Sequence, residues 1–381
     1  MSRRDKRASA RFRQGCGGSK ARLPAASSAA DAGHEIVVLA PDQFADQSTT
    51  DRTLPYRVIR YPGGPASMKS LLRRIVETRK LLRSERFDIV HAADWPFFIP
   101  LRLMRGLQPH ARKLLTVHGS ETVHMRAPKR RALLGAIGLW RPGWAEWIAN
   151  SLATRTMLLE GFVEVRSQDV RAIPLALSTG WLAGRIDRDT ARRAYGAGDD
   201  FIIISLGRVV PRKGHADLAD ALARLPEAIA GRVRWWIVGP LPEPEHEKLL
   251  RSKAQTLRAR MEILGKLPLT DVQRRLSASD LFCLPGYRDE GGRVEGFGFV
   301  FLEAGAYAVP SVATRSGGIS EAIDEGVSGL LVDERDVLAL TAAIEKVIED
   351  PALRADLARG AKRKAEATTW HDVMMRTYGR R

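Results

Sequence analysis

The sequence predicts an α/β protein built from two doubly wound parallel-sheet domains facing a central cleft, and three observations predict it. The chain has 381 residues and 44% hydrophobic content, which suits two buried cores better than one. Short β-branched runs alternate with longer helical patterns, as in strands joined by crossover helices. That alternation forms two series, broken where Pro, Gly and small polar residues of IPLALSTGWLAGRIDRD (173–189) interrupt the periodicity.

The first series contains EIVVLAP (35–41), YRVIRYP (56–62), DIVHAAD (88–94) and KLLTVHG (113–119), with the basic amphipathic stretch SMKSLLRRIVETRKLLRSERF at 67–87. The second runs through FIIISLG (201–207), VRWWIVG (233–239), MEILGKL (261–267), DLFCLPG (280–286), PSVAT (310–314) and GLLVD (329–333). The domains are accordingly 33–180 and 190–365. Residues 366–381, with Trp370 and Tyr378, read as a helix that packs back across the first domain or lies on the surface.

Residues 1–32 stand apart. MSRRDKRASARFRQGC is polar and basic, and SKARLPAASSAAD has a Pro and a run of small residues, so neither strand nor amphipathic helix is predicted there. Two readings stay open: a disordered basic tail, or a frame-shifted or mis-started translation of a normal first strand and helix. An intact alternative frame encoding an apolar strand before Gly17-Gly18 supports the second. Loss of a first strand is expected to leave a sheet edge open.

The charge is lopsided: residues 1–185 hold 31 Lys and Arg against 15 Asp and Glu, whereas 186–381 hold 30 against 29. A basic first half suits an anionic partner, either an acidic membrane surface or nucleic acid, or is simply a solvated surface. MRAPKRRALLGAIGLWRPGWAEW (125–147) places Trp140, Trp144 and Trp147 near cations, as at a membrane interface or in a core. No aromatic-laced or zinc-spaced nucleic-acid motif occurs, so specific nucleic-acid recognition is not expected. No uncharged apolar run of about 18 residues appears, and the basic start lacks the apolar core of a secretory leader. Cytoplasmic residence, peripheral to the membrane, is the expectation, and the distant pair Cys16 and Cys283 fits it.

Chemistry concentrates in two stretches. In SLGRVVPRKGH (205–215), Gly207 turns the chain out of a strand, and Arg208 and Lys213 follow as two cations on one loop. Such a pair is ordinarily a surface ion pair, but strand C-terminal ends are ligand positions, and there two cations can converge on a diphosphate. In EGFGFVFLEAGAYAVPSVATRSGGISEAI (295–323), Glu295 precedes Gly296-Phe297-Gly298, and a helical pattern starts at Phe299. Glycine amides and a helix start favour an anion, and Glu303 on that helix can accept hydrogen bonds from a vicinal diol. Taken singly, either Glu is a solvated residue.

Glu295 and Glu303 spanning GFGF, Arg208 with Lys213 after a strand, and Gly317-Gly318 before Glu321 together resemble the retaining glycosyltransferases of family 4, glycosyl transferases group 1. The resemblance implies the GT-B fold, with two Rossmann-like domains, the first on the acceptor side and the second holding a nucleotide-sugar. It implies that Arg208 and Lys213 hold the donor diphosphate and Glu303 the ribose hydroxyls. Glu295 and the backbone from Gly296 to Phe299 would contact the transferred sugar and its phosphate. His118 in TVHGSE matches the family's cleft histidine beside that sugar, and His91 and Asp94 resemble an acceptor-side segment that capping or core roles also explain. No metal or other cofactor is required, because the cations and the helix start neutralise the departing diphosphate.

The implied reaction moves a sugar from a nucleotide-diphosphate donor to a glycan or lipid-linked acceptor in cell-envelope synthesis, with front-face attack and no side-chain nucleophile. IPLALST (173–179) departs from the family's usual Asn-Gly-Val-Asp. Rival readings are a nucleotide-sugar epimerase or hydrolase on the same fold, and a basic nucleic-acid- or membrane-binding protein without catalysis, including an inactive product of a damaged N-terminus.

Overall fold

Why the chain folds as two units follows from its strands. The computed structural model describes residues 7–11, 26–42, 51–62 and 68–379. Among the described residues, thirteen short strands, most with β-branched or aromatic residues, form two all-parallel sheets. One compact unit comprises the chain up to Ala176 together with Thr369–Arg381, and the other is Leu177–Thr368.

The first sheet has the order β3-β2-β1-β4-β5-β6-β7. Its strands are β1 Arg7–Arg11, β2 Glu35–Asp42, β3 Arg57–Pro62, β4 Ile89–Ala92, β5 Arg112–Val117, β6 Glu146–Ala149 and β7 Val170–Ala172. Here the structure corrects the expectation that no strand or helix lies in the first 32 residues, at the part of them it describes. Arg7–Arg11 is a strand, pairing with β2 through Arg7–Ala10 and with β4 through Ala8–Arg11, so the slot between them is filled rather than left as an edge. Ladder pairing uses backbone groups that every residue except proline supplies, and a slot between two strands selects a segment its own side chains do not announce. Residues 26–31 are also helical, with Ala26 and Ala29 buried three positions apart. Alanine forms helices best, and its small side chain hides an apolar face from periodicity. Gly17-Gly18 and Cys16 lie outside the described residues.

The second sheet has the order β10-β9-β8-β11-β12-β13. Its strands are β8 Phe201–Leu206, β9 Val233–Val238, β10 Arg260–Gly265, β11 Leu281–Leu284, β12 Ser311–Thr314 and β13 Gly329–Val332. Burial on both faces makes these strands continuously apolar. Ile203 and Trp235 point into one core layer, while Ile202, Ile204 and Trp236 point into the other.

In the first unit the aromatics of 125–147 turn inward. Trp140 stacks on Phe162 at 4.0 Å and on Trp147 at 6.1 Å, and both indoles are buried in the core. Half-buried Trp144 donates from Nε1 to Leu139 O at 2.8 Å. These rings are core residues and not an interfacial belt, because apolar area of this size is worth more buried than spread on a surface.

The closing helix, Trp370–Tyr378, belongs to the first unit, as one of its two sequence readings had it. Thr369 and Asp372 form a capping box at its start. Its buried stripe Trp370, Val373, Met374, Thr377 and Tyr378 follows helical spacing. Tyr378 Oη bonds His91 Nδ1 at 3.0 Å, and Arg112 Nη1 donates to the carbonyls of Tyr378 and Gly379 at 3.2 and 3.1 Å. Truncating Trp370 to Ala should cost about 3 kcal/mol of stability in a denaturant titration, whereas Met375→Ala on the exposed side should cost less than about 0.5 kcal/mol.

Candidate functional site

β8 delivers the first part of the site in the second unit. All six of its residues are buried, and Gly207 then turns the chain into a loop whose short 3-10 turn is Pro211–Lys213. Gly214 follows with φ +74°, and a Cβ there would lie 1.9 Å from Pro285 O. Only glycine permits this approach, which packs the 208–214 loop against the chain leaving β11. Tyr287 N donates to Arg212 O at 2.9 Å and ties the two loops.

The second part is the turn before the helix Phe299–Gly305. Gly298 caps that helix with φ +85°. Gly318 N donates to Glu295 O at 2.8 Å, and a Cβ on Gly318 would fall 2.4 Å from Gly296 O. The Gly317-Gly318 pair is therefore the platform on which the 294–297 segment rests, a packing reason for glycines that the sequence showed only as a motif. Phe297 is buried and meets half-buried Phe299 edge-on at 5.2 Å.

These two loops bring three of the four charged residues expected from the sequence into one cluster. Lys213 Nζ, largely buried, forms an ion pair with the Glu295 carboxylate across 82 positions of sequence. Burial pushes the Glu295 carboxyl up, but Lys213, then Arg212 and Arg208, outweigh it, and the acid titrates below the usual glutamate range. Arg208 is exposed and shares the field around Glu295.

Glu303 is placed differently. It is 1% exposed, within the buried part of the helix and about one and a half turns from Gly298. Its charge adds to the forces raising the Tyr307 phenol to about 12, of which burial is the largest, and Tyr307 Oη donates to Trp181 O at 3.0 Å.

The remaining expected residues lie in the first unit. His118, at the end of β5, donates from Nε2 to Ala93 O at 3.1 Å, since a carbonyl can only accept. It lines a cavity of about 50 Å³ with His91, Asn150, Ile173, Trp370 and Met374. Asp94 caps the turn Trp95–Phe97 through Trp95 N at 3.0 Å. His91 bridges Thr116 Oγ1 at 2.7 Å and Tyr378 Oη, so these two residues act as a cap and a core bridge.

Sequence reasoning missed two residues beside the site. Arg212 sits between its two expected neighbours, half-buried, and its adjacency to Lys213 was the available signal. His215 is 1% exposed, with no hydrogen-bond partner for either ring nitrogen among the described residues. Burial, then the fields of His246 and Lys213, push it down to about 3. The folded site thus refuses a proton that the unfolded chain accepts below about 6.5, so stability is full above that pH and falls as pH drops toward 3. Between pH 7 and pH 5, thermal or urea unfolding of the wild type should lose roughly 2 kcal/mol more than His215→Leu loses.

Comparison with known proteins bears on this arrangement. The chain matches the family described as "Glycosyl transferases group 1" over residues 187–364 and "Glycosyltransferase Family 4" over 25–180. A GDP-mannose-dependent alpha-(1-6)-phosphatidylinositol monomannoside mannosyltransferase of Mycolicibacterium smegmatis is 30% identical over 330 residues, covering 84% of this chain and 82% of that protein. A GDP-mannose-dependent monoacylated alpha-(1-6)-phosphatidylinositol monomannoside mannosyltransferase of Corynebacterium glutamicum is 29% identical over 352 residues, covering 89% of this chain and 87% of that protein. Among solved structures, Anabaena HepE in complex with UDP and glucose superposes with a TM-score of 0.75 at 20% identity, covering 97% of this chain and 98% of its own. Sucrose-phosphate synthase from Thermosynechococcus elongatus gives 0.77 at 19%, covering 97% of each chain. The fold is the GT-B fold of such enzymes, with two Rossmann-like parallel-sheet domains.

Proposed function

The chain belongs to the group 1 glycosyl transferases, with an N-terminal half of the family 4 kind, and we propose that it transfers mannose from GDP-mannose to an inositol phospholipid with retention of anomeric configuration. The observation that carries this reading is the Arg208–Lys213–Glu295 cluster poised over the glycine turn and the start of the helix Phe299–Gly305. The names of the relatives supply the donor and the acceptor.

In this reading Arg208 and Lys213 neutralise the diphosphate, and the amides of Gly298 and Phe299 face the phosphate next to the sugar. Glu295, held by Lys213, orients the sugar, and Glu303 takes the ribose diol. The acceptor hydroxyl attacks from the face the diphosphate leaves, and the leaving phosphate oxygen receives its proton. Stabilising that leaving group is the largest catalytic contribution, and no metal ion is needed.

A lipid acceptor calls for a membrane-facing surface, and the helix Met68–Ser84 has the right chemistry. Its inward stripe is Ser70, Arg74, Thr78 and Leu81, while Lys69, Leu72, Arg73, Val76, Arg79 and Arg83 lie on the exposed side. Leu72 and Val76 are 57% and 48% exposed, and each nearby cation adds about 1 kcal/mol at an anionic bilayer. No helix among the described residues is long and apolar enough to cross a membrane. We place the enzyme peripherally on the cytoplasmic leaflet.

The purified chain, given GDP-mannose and phosphatidylinositol mannoside vesicles, should form a new α-mannoside identifiable by NMR. Lys213→Ala should lower kcat/KM at least a hundredfold without a matching fall in melting temperature. A β-linked product would refute retention, and donor hydrolysis without transfer would favour a hydrolase. Vesicles rich in phosphatidylglycerol should sediment the wild type, while replacing Arg73, Arg79 and Arg83 by Glu should leave most of it in the supernatant. Equal sedimentation would discard this helix as the contact.

A further inference from the structure

The loop after β8 carries three cations, and their partners are unequal. Lys213 is engaged by Glu295, whereas Arg208 and Arg212 make no ion pair or side-chain hydrogen bond among the described residues. Arg208 reaches solvent, which compensates an unpaired guanidinium. Arg212 is half-buried. Burial weakens its hold on its proton, and the charged groups facing it are Glu295, Arg208, Asp289 and Arg293.

Neither carboxylate in that set is available to Arg212. Glu295 is taken by Lys213. Asp289 is taken within its own loop, accepting from Arg293 N at 2.8 Å and Arg293 Nε at 2.7 Å. With both pairs discounted, Arg208 and Arg212 remain as two positive charges without a carboxylate partner among the described residues around the Glu295 turn, and of the two only Arg212 is also partly withdrawn from water. A partly desolvated guanidinium without a counter-ion is costly unless an anion arrives to share its field. The diphosphate bridge of a nucleotide-sugar carries two negative charges, which matches those two cations.

We propose that Arg212 is a further donor-binding residue, gripping the diphosphate alongside Arg208 while Lys213 is shared with Glu295. This rests on the glycosyltransferase reading above and sharpens it. Its planar fork suits bidentate contact with phosphate oxygens, which a lysine at 212 would meet only as a point charge. Its backbone is pinned as well: Arg212 O accepts from Tyr287 N, so the residue before Lys213 cannot swing freely away from the site.

Calorimetric titration of the full chain with GDP and with UDP, at low and at physiological salt, tests this directly. Arg212→Gln should weaken the preferred nucleoside diphosphate about ten- to a hundredfold, as expected for losing a charge-assisted contact, and should flatten the salt dependence. Arg212→Lys should recover part of the loss, and Arg224→Gln, an exposed arginine in the next helical region, should bind as the wild type does. Melting temperatures of all variants report folding independently. Binding by Arg212→Gln within twofold of wild type overturns the assignment, and so does a loss accompanied by a lowered melting temperature with no rescue by lysine. A wild type that binds neither diphosphate sinks the parent reading, and this one with it.

Discussion

The Lys213–Glu295 ion pair is the contact on which the second unit's chemistry depends. It joins the loop leaving β8 to the loop leading into the helix Phe299–Gly305, two segments with no covalent reason to meet. A buried ammonium is tolerated only with a carboxylate beside it, and each member of the pair therefore holds the other's loop in place. The Gly317-Gly318 platform fixes the height of the Glu295 turn from below, and Gly214 packed on Pro285 O fixes the 208–214 loop from its far end. With both loops anchored, Arg208 and Arg212 share one field around one carboxylate.

The first unit is organised by a different constraint, since its final piece is the end of the chain. The helix Trp370–Tyr378 closes over β4 through His91 and is held at its C-terminal carbonyls by Arg112 and Arg171. Cations at a helix C-terminus complement its dipole and satisfy carbonyls that have no intrahelical partner. This unit is thus built from two stretches of chain separated in sequence by the whole of the other unit. Its excess of positive charge is partly absorbed in such internal duties, with Arg102 bonded to Gly138 O and Arg74 to Tyr61 Oη. On the exposed side of Met68–Ser84, cations and apolar side chains coincide.

Much of this was legible beforehand. Two parallel sheets, the strands β2 to β5 and β8 to β13, and the loops carrying Arg208, Lys213 and Glu295 follow from local periodicity and from glycines placed after strands, whereas the short strands β6 and β7 were not read. What was illegible shares a cause. β1 lacks an apolar signature and is recruited by backbone pairing, Trp140 and Trp147 look interfacial until Phe162 arrives from another element, and Arg212 resembles any loop arginine until Asp289 is found to be engaged elsewhere. The near-complete burial of Glu303 appears only once the helix is packed.

The sequence by itself determined the fold class, the family and the identity of the charged residues, because side-chain periodicity and motif spacing are local properties of the chain. Tertiary structure alone decided which charges are spent on one another and which are left for a ligand. Whether a cation has a partner depends on carboxylates tens of residues away, and no local pattern encodes that distance.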